Sequence, residues 1–159
     1  MCDDSDMRIG VRLAVDWGKA RIGVAACDQE GILAYPVETV GNDEQALDRL
    51  ASLIREYQPI ELILGLPKAL TGAEGLAASA MREVAAVIAK AFPGLDIRLV
   101  DERLTTVSAA KSLRAAGRKA KAQREIIDQA AAVALLTGAL ESEKQTGLPP
   151  GDKFIEEIS

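Results

Sequence analysis

The stretch RIGVRLAVDWGKARIGVAACDQEGILAYPVETV, residues 8–40, decides the fold. Its first segment, residues 8–15, alternates. Ile9, Val11, Leu13 and Val15 fall on one side and Gly10, Arg12 and Ala14 on the other, the period of a strand with unequal faces. Asp16-Trp17-Gly18 ends it. A second apolar run, Arg21 to Cys27, follows a short turn, and a third, Ile32 to Val40, follows Asp28-Gln29-Glu30-Gly31. Three runs joined by short turns predict an antiparallel meander.

Beyond the meander the period changes. Asn42 is placed to cap a helix with Gln45 reaching back, and Leu47, Leu50, Ile54 and Tyr57 follow at helical spacing until Pro59 closes it. Ile60 to Leu64 is a short, nearly continuous apolar run ending in Gly65-Leu66-Pro67, which suits a central parallel strand covered on both faces. A second helix is expected over Leu76 to Ala91, with Leu76, Ala80, Val84, Val87 and Ile88 as its stripe and Pro93-Gly94 as its stop. Leu95 to Val100 is the fifth strand. Two more helices are expected, from Thr105 or Thr106 to Ala116 and from about Gln123 to Leu140. From Glu141 onward periodicity is lost and Gly147-Leu148-Pro149-Pro150-Gly151 intervenes. The expected organisation is therefore a flexible start over 1–7, one domain over 8–141 and a mobile tail over 142–159. The order β-β-β-α-β-α-β-α-α is that of the α/β ribonuclease H-like fold, a mixed five-stranded sheet flanked by helices.

Composition narrows the chemistry. A chain of 159 residues, 48% hydrophobic, can bury one core, and with aromatics at 3% that core must be aliphatic. No apolar run approaches the roughly 20 residues of a membrane span, and the start Met1-Cys2-Asp3-Asp4 is unlike a secretory signal, so a cytoplasmic address is expected. Cys2 and Cys27 stand far apart and read as reduced thiols. There is no histidine, which removes the usual zinc ligand sets, Ser-His-Asp and Cys-His schemes, and histidine general bases. Carboxylates, lysines and metals remain.

Three acidic sites are candidates. Asp16 follows the first strand, with Gly18 allowing a close approach to a ligand. Asp101 and Glu102 end the fifth strand, where open sheets place ligands. Alternation puts Asp101 with Leu95, Ile97 and Leu99, and Glu102 with Asp96 and Arg98 on the lighter face, so Glu102 is the acid expected to meet Asp16. Asp128 shares a helical face with Ala131, Ala132 and Leu135, an apolar and small surface on which a carboxylate needs a partner. Taken singly, each has an ordinary reading as a turn acid or a helix-dipole acid. Together, three carboxylates from two strand ends and a helix can surround Mg²⁺ or Mn²⁺, which take oxygen ligands and assist phosphate displacement.

Cations are segregated. The net charge is −5, yet from Arg103 to Arg124 there are seven cations, Arg103, Lys111, Arg114, Arg118, Lys119, Lys121 and Arg124, and no acid. Solvated helix faces usually mix signs, so this stretch reads as a phosphate-contacting surface. Trp17, beside Asp16, is a candidate either to stack on a base or to pack in the turn.

The run Asp16-Trp17-Gly18-Lys19-Ala20-Arg21-Ile22-Gly23-Val24, then Gly65-Leu66-Pro67 with Thr71-Gly72, then Asp101-Glu102-Arg103-Leu104-Thr105-Thr106, then Asp128-Gln129-Ala130-Ala131-Ala132 resembles the YqgF family over roughly residues 8 to 141. These are pre-16S ribosomal RNA nucleases, also called Holliday-junction-resolvase-like proteins, with a ribonuclease H-like fold. The resemblance implies that Asp16, Glu102 and Asp128 form a catalytic, metal-holding triad and that Arg21 and Arg103 are phosphate or structural arginines. It implies cleavage in 5′-end maturation of pre-16S ribosomal RNA, with branched DNA as the rival substrate. Nothing in the sequence supplies an evident dimer helix or apolar seam, so a monomer or weak homodimer is expected. Two other classes compete. An actin-like or sugar-kinase-like phosphate loop is disfavoured because such proteins close two domains on a nucleotide. A non-catalytic nucleic-acid-binding module is disfavoured because all three acids are present.

Overall fold

The computed structural model describes residues 8–18, 20–67, 75–102 and 121–155, and for 121–128 the description covers the backbone. The meander comprises β1 (Arg12–Trp17), β2 (Arg21–Cys27) and β3 (Ala34–Gly41). It is followed by α1 (Ala46–Tyr57), β4 (Glu61–Leu66), α2 (Leu76–Ala91), β5 (Asp96–Asp101), α3 (Lys121–Thr146) and the two-residue β6 (Asp152–Lys153). The sheet order is β3-β2-β1-β4-β5-β6. β1 pairs antiparallel with β2 and parallel with β4, and β4 pairs parallel with β5. This is the expected mixed α/β sheet with one strand more than the five read from the sequence.

Two apolar layers sandwich it. On one face Leu13, Val15, Leu62, Leu64, Ile97 and Leu99 meet α1 and α2. On the other, Ala14, Ala25, Ile63 and Val100 meet Ala131, Ala132, Leu135, Leu136 and Ala139 of α3. The continuous apolar run of β4 is explained by this double covering, because every one of its six residues is buried. Truncating Leu64 or Leu135 to Ala would cost about 2–5 kcal/mol. Cys27 is a free, buried thiol, pushed up by burial.

Several local expectations are corrected. Asn42 does not cap α1. The helix begins at Ala46, and the Asn42 amide instead donates to the Gly18 carbonyl at 2.7 Å. The buried stripe of α1 is Ala46, Leu50, Leu53 and Ile54, with Leu47 turned outward. The stripe of α2 is Ala78, Met81, Ala85 and Ile88, leaving Leu76 91% exposed at the helix start. In both helices an alanine faces the sheet where a larger residue was expected, because small side chains permit closer packing.

The stretch read as an aperiodic tail is built into the fold as far as Phe154. α3 runs on to Thr146, and Gly147, at φ +72°, stops it by donating its N–H to the Glu143 carbonyl. β6 then pairs antiparallel with β5, and Phe154 packs against the α1/α2 core. Gly151, at φ +61°, permits this return, since a Cβ there would collide with the Leu99 carbonyl. The expected helix between residues 105 and 116 and the start over 1–7 lie outside the described residues.

Candidate active site

Strand register places the acids. Asp16 is paired with Gly23 of β2, and Gly23 with Thr39 of β3. On the other side, Val15 is level with Leu64, so one residue further along Asp16 is level with Gly65. Gly65 is in turn level with Val100, and Glu102 lies two residues beyond Val100 on the same face. Asp16 and Glu102 therefore share the face covered by α3, at the carboxyl ends of parallel strands. Both are buried, at 0% and 7% exposure.

The Glu102 side chain bends back over β4. An ideal Cβ on Gly65 would stand 2.6 Å from Glu102 Oε1, 3.0 Å from its Cγ and 3.2 Å from its Cδ. The absence of a side chain on Gly65 thus makes the slot in which Glu102 lies, one strand away from Asp16. Asp101, by alternation, belongs to the opposite parity and lines a cleft of about 490 Å³ at the β5 edge with Glu141 and Asp152. Trp17 packs against the α1/α2 core, on the side away from Asp16.

Helix α3 crosses the same row of residues. Gln129 Nε2 donates to Thr39 Oγ1 at 3.0 Å, which fixes the third turn of α3 over the row Thr39–Gly23–Asp16–Gly65. Residue 128 precedes that anchor by one position, and it precedes the buried Ala131 and Ala132 by three and four. The turn after β1 is braced from two sides. Gly18 N–H donates to the Arg21 carbonyl, and Asn42 N–H donates to that of Ala20.

Other predicted residues distribute unevenly. Arg21 opens β2, half-buried, opposite Gly41 of β3. Lys121 and Arg124 occupy the first turn of α3. Arg103, Lys111, Arg114, Arg118 and Lys119 lie outside the described residues. Gly65 is the position to which sequence reasoning gave no role. Its signal was available, since a glycine closing an otherwise apolar strand marks a close approach.

At the other end of this face, arginines and acids interlock. Arg8 bonds Glu61 at 2.7 Å and also Glu143, and Arg12 bonds Glu143 at 2.8 Å. Burial opposes ionisation of Glu143, but the hydrogen bonds from Arg8 and the charge of Arg12 carry its pKa below the usual carboxylate value. Glu61 is bonded by Arg8, with Arg98 3.9 Å away, but it also lies beside Asp96 and Glu143, and burial dominates and pushes it up. The Arg8 guanidinium is raised despite its burial, by hydrogen bonds to Glu143 and Glu61.

A sequence model described as "RuvX: Holliday junction resolvase" matches residues 10–142, from just before β1 through most of α3. The chain belongs to the RuvX family. It is the family that the motifs resembled under the name YqgF. Among curated RuvX relatives, the Streptomyces coelicolor protein is 55% identical over 152 residues, covering 94% of this chain and 91% of the relative. The Cutibacterium acnes protein is 54% identical over 132 residues, covering 83% and 82%. The Thermobifida fusca protein is 52% identical over 153 residues, covering 92% and 96%. Each is named "Putative pre-16S rRNA nuclease". Among solved structures, T. thermophilus RuvC in complex with a Holliday junction substrate aligns with a TM-score of 0.57 at 14% identity, covering 88% of this chain and 99% of that one. That likeness is one of fold, and the fold is ribonuclease H-like.

Proposed function

We propose that this RuvX-family chain is a divalent-metal-dependent nuclease that trims the 5′ end of pre-16S ribosomal RNA. The observation that carries the reading is the placement of two buried acids, Asp16 and Glu102, on one face at the strand ends on either side of β4. Two buried carboxylates are expensive in a low-dielectric setting and are suited to a hard cation. The donor set is all oxygen, which fits Mg²⁺ or Mn²⁺ and excludes a soft-ligand site. Asp128, one residue before the Gln129 anchor, completes the proposed set. When bound, the metal would supply Lewis-acid stabilisation of the phosphate oxygens and activation of the attacking water.

The protein's own residues do the rest. Asp16 lies within β1, paired with Gly23 of β2 and one residue past the last β1–β4 pair, so its carboxylate is preorganised rather than recruited from a loop. The apolar layer of Ala14, Ile63, Ala131 and Ala132 beside the acids keeps bulk water from the inner side of the site. Arg103, Arg114, Arg118, Lys119, Lys121 and Arg124 are assigned to the nucleic-acid backbone, because seven cations without an acid from Arg103 to Arg124 form the strongest positive segment of an acidic chain, and Arg21 joins them on the motif resemblance. A single-stranded RNA needs one such site, whereas paired cutting of a junction needs two sites held by a two-fold dimer.

A second reading has its own support. The family description names a Holliday junction resolvase, and the RuvC structure holds a junction. To separate them, purified protein with Mg²⁺ or Mn²⁺ is given pre-16S 5′-end RNA and a four-way DNA junction at equal enzyme and salt, with Asp16→Asn as the control for contaminating nuclease. Preferential RNA cleavage is expected. Paired, symmetric incisions in the junction without RNA cleavage would favour the resolvase.

A further inference from the structure

Gly65 stands out because its empty side-chain position is already occupied. Three atoms along the Glu102 side chain, Cγ, Cδ and Oε1, lie 2.6 to 3.2 Å from where a Cβ on Gly65 would be. Real Cβ atoms do not tolerate the shortest of these distances, so any substituent there must displace Glu102. The backbone at Gly65 has no positive φ that would demand glycine, as it does at Gly147 and Gly151. Conformational freedom is therefore not the reason for glycine at this position, and space for Glu102 is. The neighbouring row member on the other side of Asp16, Gly23, is also a glycine, so Asp16 is flanked by bare backbone on both strands beside it.

From this geometry we infer that Gly65 is a positioning residue for the site: its bare Cα forms the slot that lays the Glu102 side chain across β4 and aims its carboxylate toward Asp16. The inference rests on the reading of Asp16 and Glu102 as a divalent-metal site. It assigns Gly65 no contact with the reacting atoms. The shortest contact would fall on a carboxylate oxygen at the end of a flexible side chain, with Cγ and Cδ less crowded at 3.0 and 3.2 Å, and no backbone or core atom lies among the three nearest atoms. A Gly65→Ala chain should therefore fold and yet hold Glu102 in the wrong place.

The test is a Mn²⁺ titration of the full-length protein, by calorimetry or electron paramagnetic resonance, alongside thermal melting. Gly65→Ala should lose roughly tenfold or more in Mn²⁺ affinity, the scale on which groups that orient metal ligands act. Its melting point should stay near that of the wild type. In a Glu102→Ala background the same Gly65→Ala change should cost no further affinity, because the residue it acts through is gone. Should Gly65→Ala lower the melting point, adding Glu102→Ala must restore it to that of Glu102→Ala alone. Wild-type Mn²⁺ affinity in Gly65→Ala, an equal loss in the Glu102→Ala background, or an unrescued melting point would each overturn the inference and leave the metal reading standing. A wild-type protein that takes up no Mn²⁺ would overturn both.

Discussion

The face of the sheet beneath α3 carries charge at both ends, with Ala14, Ala25 and Ile63 packed between them and Arg98 reaching back to Asp96. At the end where the parallel strands begin, Arg12, Glu61 and Asp96 stand level across β1, β4 and β5, and Arg8 and Glu143 close over them. At the end where those strands finish, Asp16 and Glu102 lie on either side of Gly65. The first end interlocks acids with arginines in direct contact, an arrangement that ties the end of α3 to the sheet. The second brings acid toward acid by leaving out a side chain. The carboxylates of Glu61 and Glu143 are as buried as those of Asp16 and Glu102, and the two ends differ in what is placed close by: arginine guanidinium groups at the first, the glycine backbone of Gly65 at the second.

Substitutions at the two ends should separate rate from stability. Glu102→Gln should reduce metal-dependent cleavage by roughly a thousandfold, since metal stabilisation of developing charge is worth several kcal/mol. Its melting point should change little, and Asp101→Asn should retain most activity. An inactive Asp101→Asn beside an active Glu102→Gln would reverse the assignment made from strand alternation. At the opposite end, Glu143→Ala should destabilise the chain by about 3–5 kcal/mol, because Arg12 is left buried without its carboxylate. Chemical denaturation would measure this loss, and cleavage per folded molecule should be preserved.

Acid should weaken the interlocked end. Glu143 sits below its ordinary value of 4.5 in the folded chain, so its contribution to stability is complete above that pH and is lost as pH falls through the lower folded value. Glu61 has the opposite sign: held above 4.5 by burial, it favours the fold as it takes up a proton. Urea midpoints followed down to about pH 3 should therefore fall less steeply in Glu143→Gln and more steeply in Glu61→Gln than in the wild type. Parallel curves for all three would remove these carboxylates from the acid response.

Smaller effects would sharpen the contrast. Gln129→Ala removes the 3.0 Å bond to Thr39 and should cost about 1 kcal/mol of stability. If that bond also sets the height of residue 128 over Asp16, cleavage will drop by more than the stability loss accounts for. Replacing Arg114, Arg118, Lys119 and Lys121 by Ala should weaken binding to all sequences alike and lower the log-log salt slope by roughly 0.7 to 0.9 for each phosphate that is no longer neutralised. An unchanged slope would assign these cations to a solvated face.

Residues 8–40 and the runs after them determined the element order, because strand and helix periods are local properties of the chain. The alternation in β1 and β5 likewise put Asp16 and Glu102 on one face before any packing was known. Tertiary structure decided what depends on contact between distant segments. Glu143 reads as a surface acid until Arg8 and Arg12 meet it, more than 130 residues away in sequence. Asp152 and Lys153 are too few to show a period, and they form a strand only because β5 offers an edge. Gly65 gained its meaning from a side chain that begins 37 residues later. A sequence pattern records which face a residue takes, whereas the space around it is set by whatever the fold brings alongside.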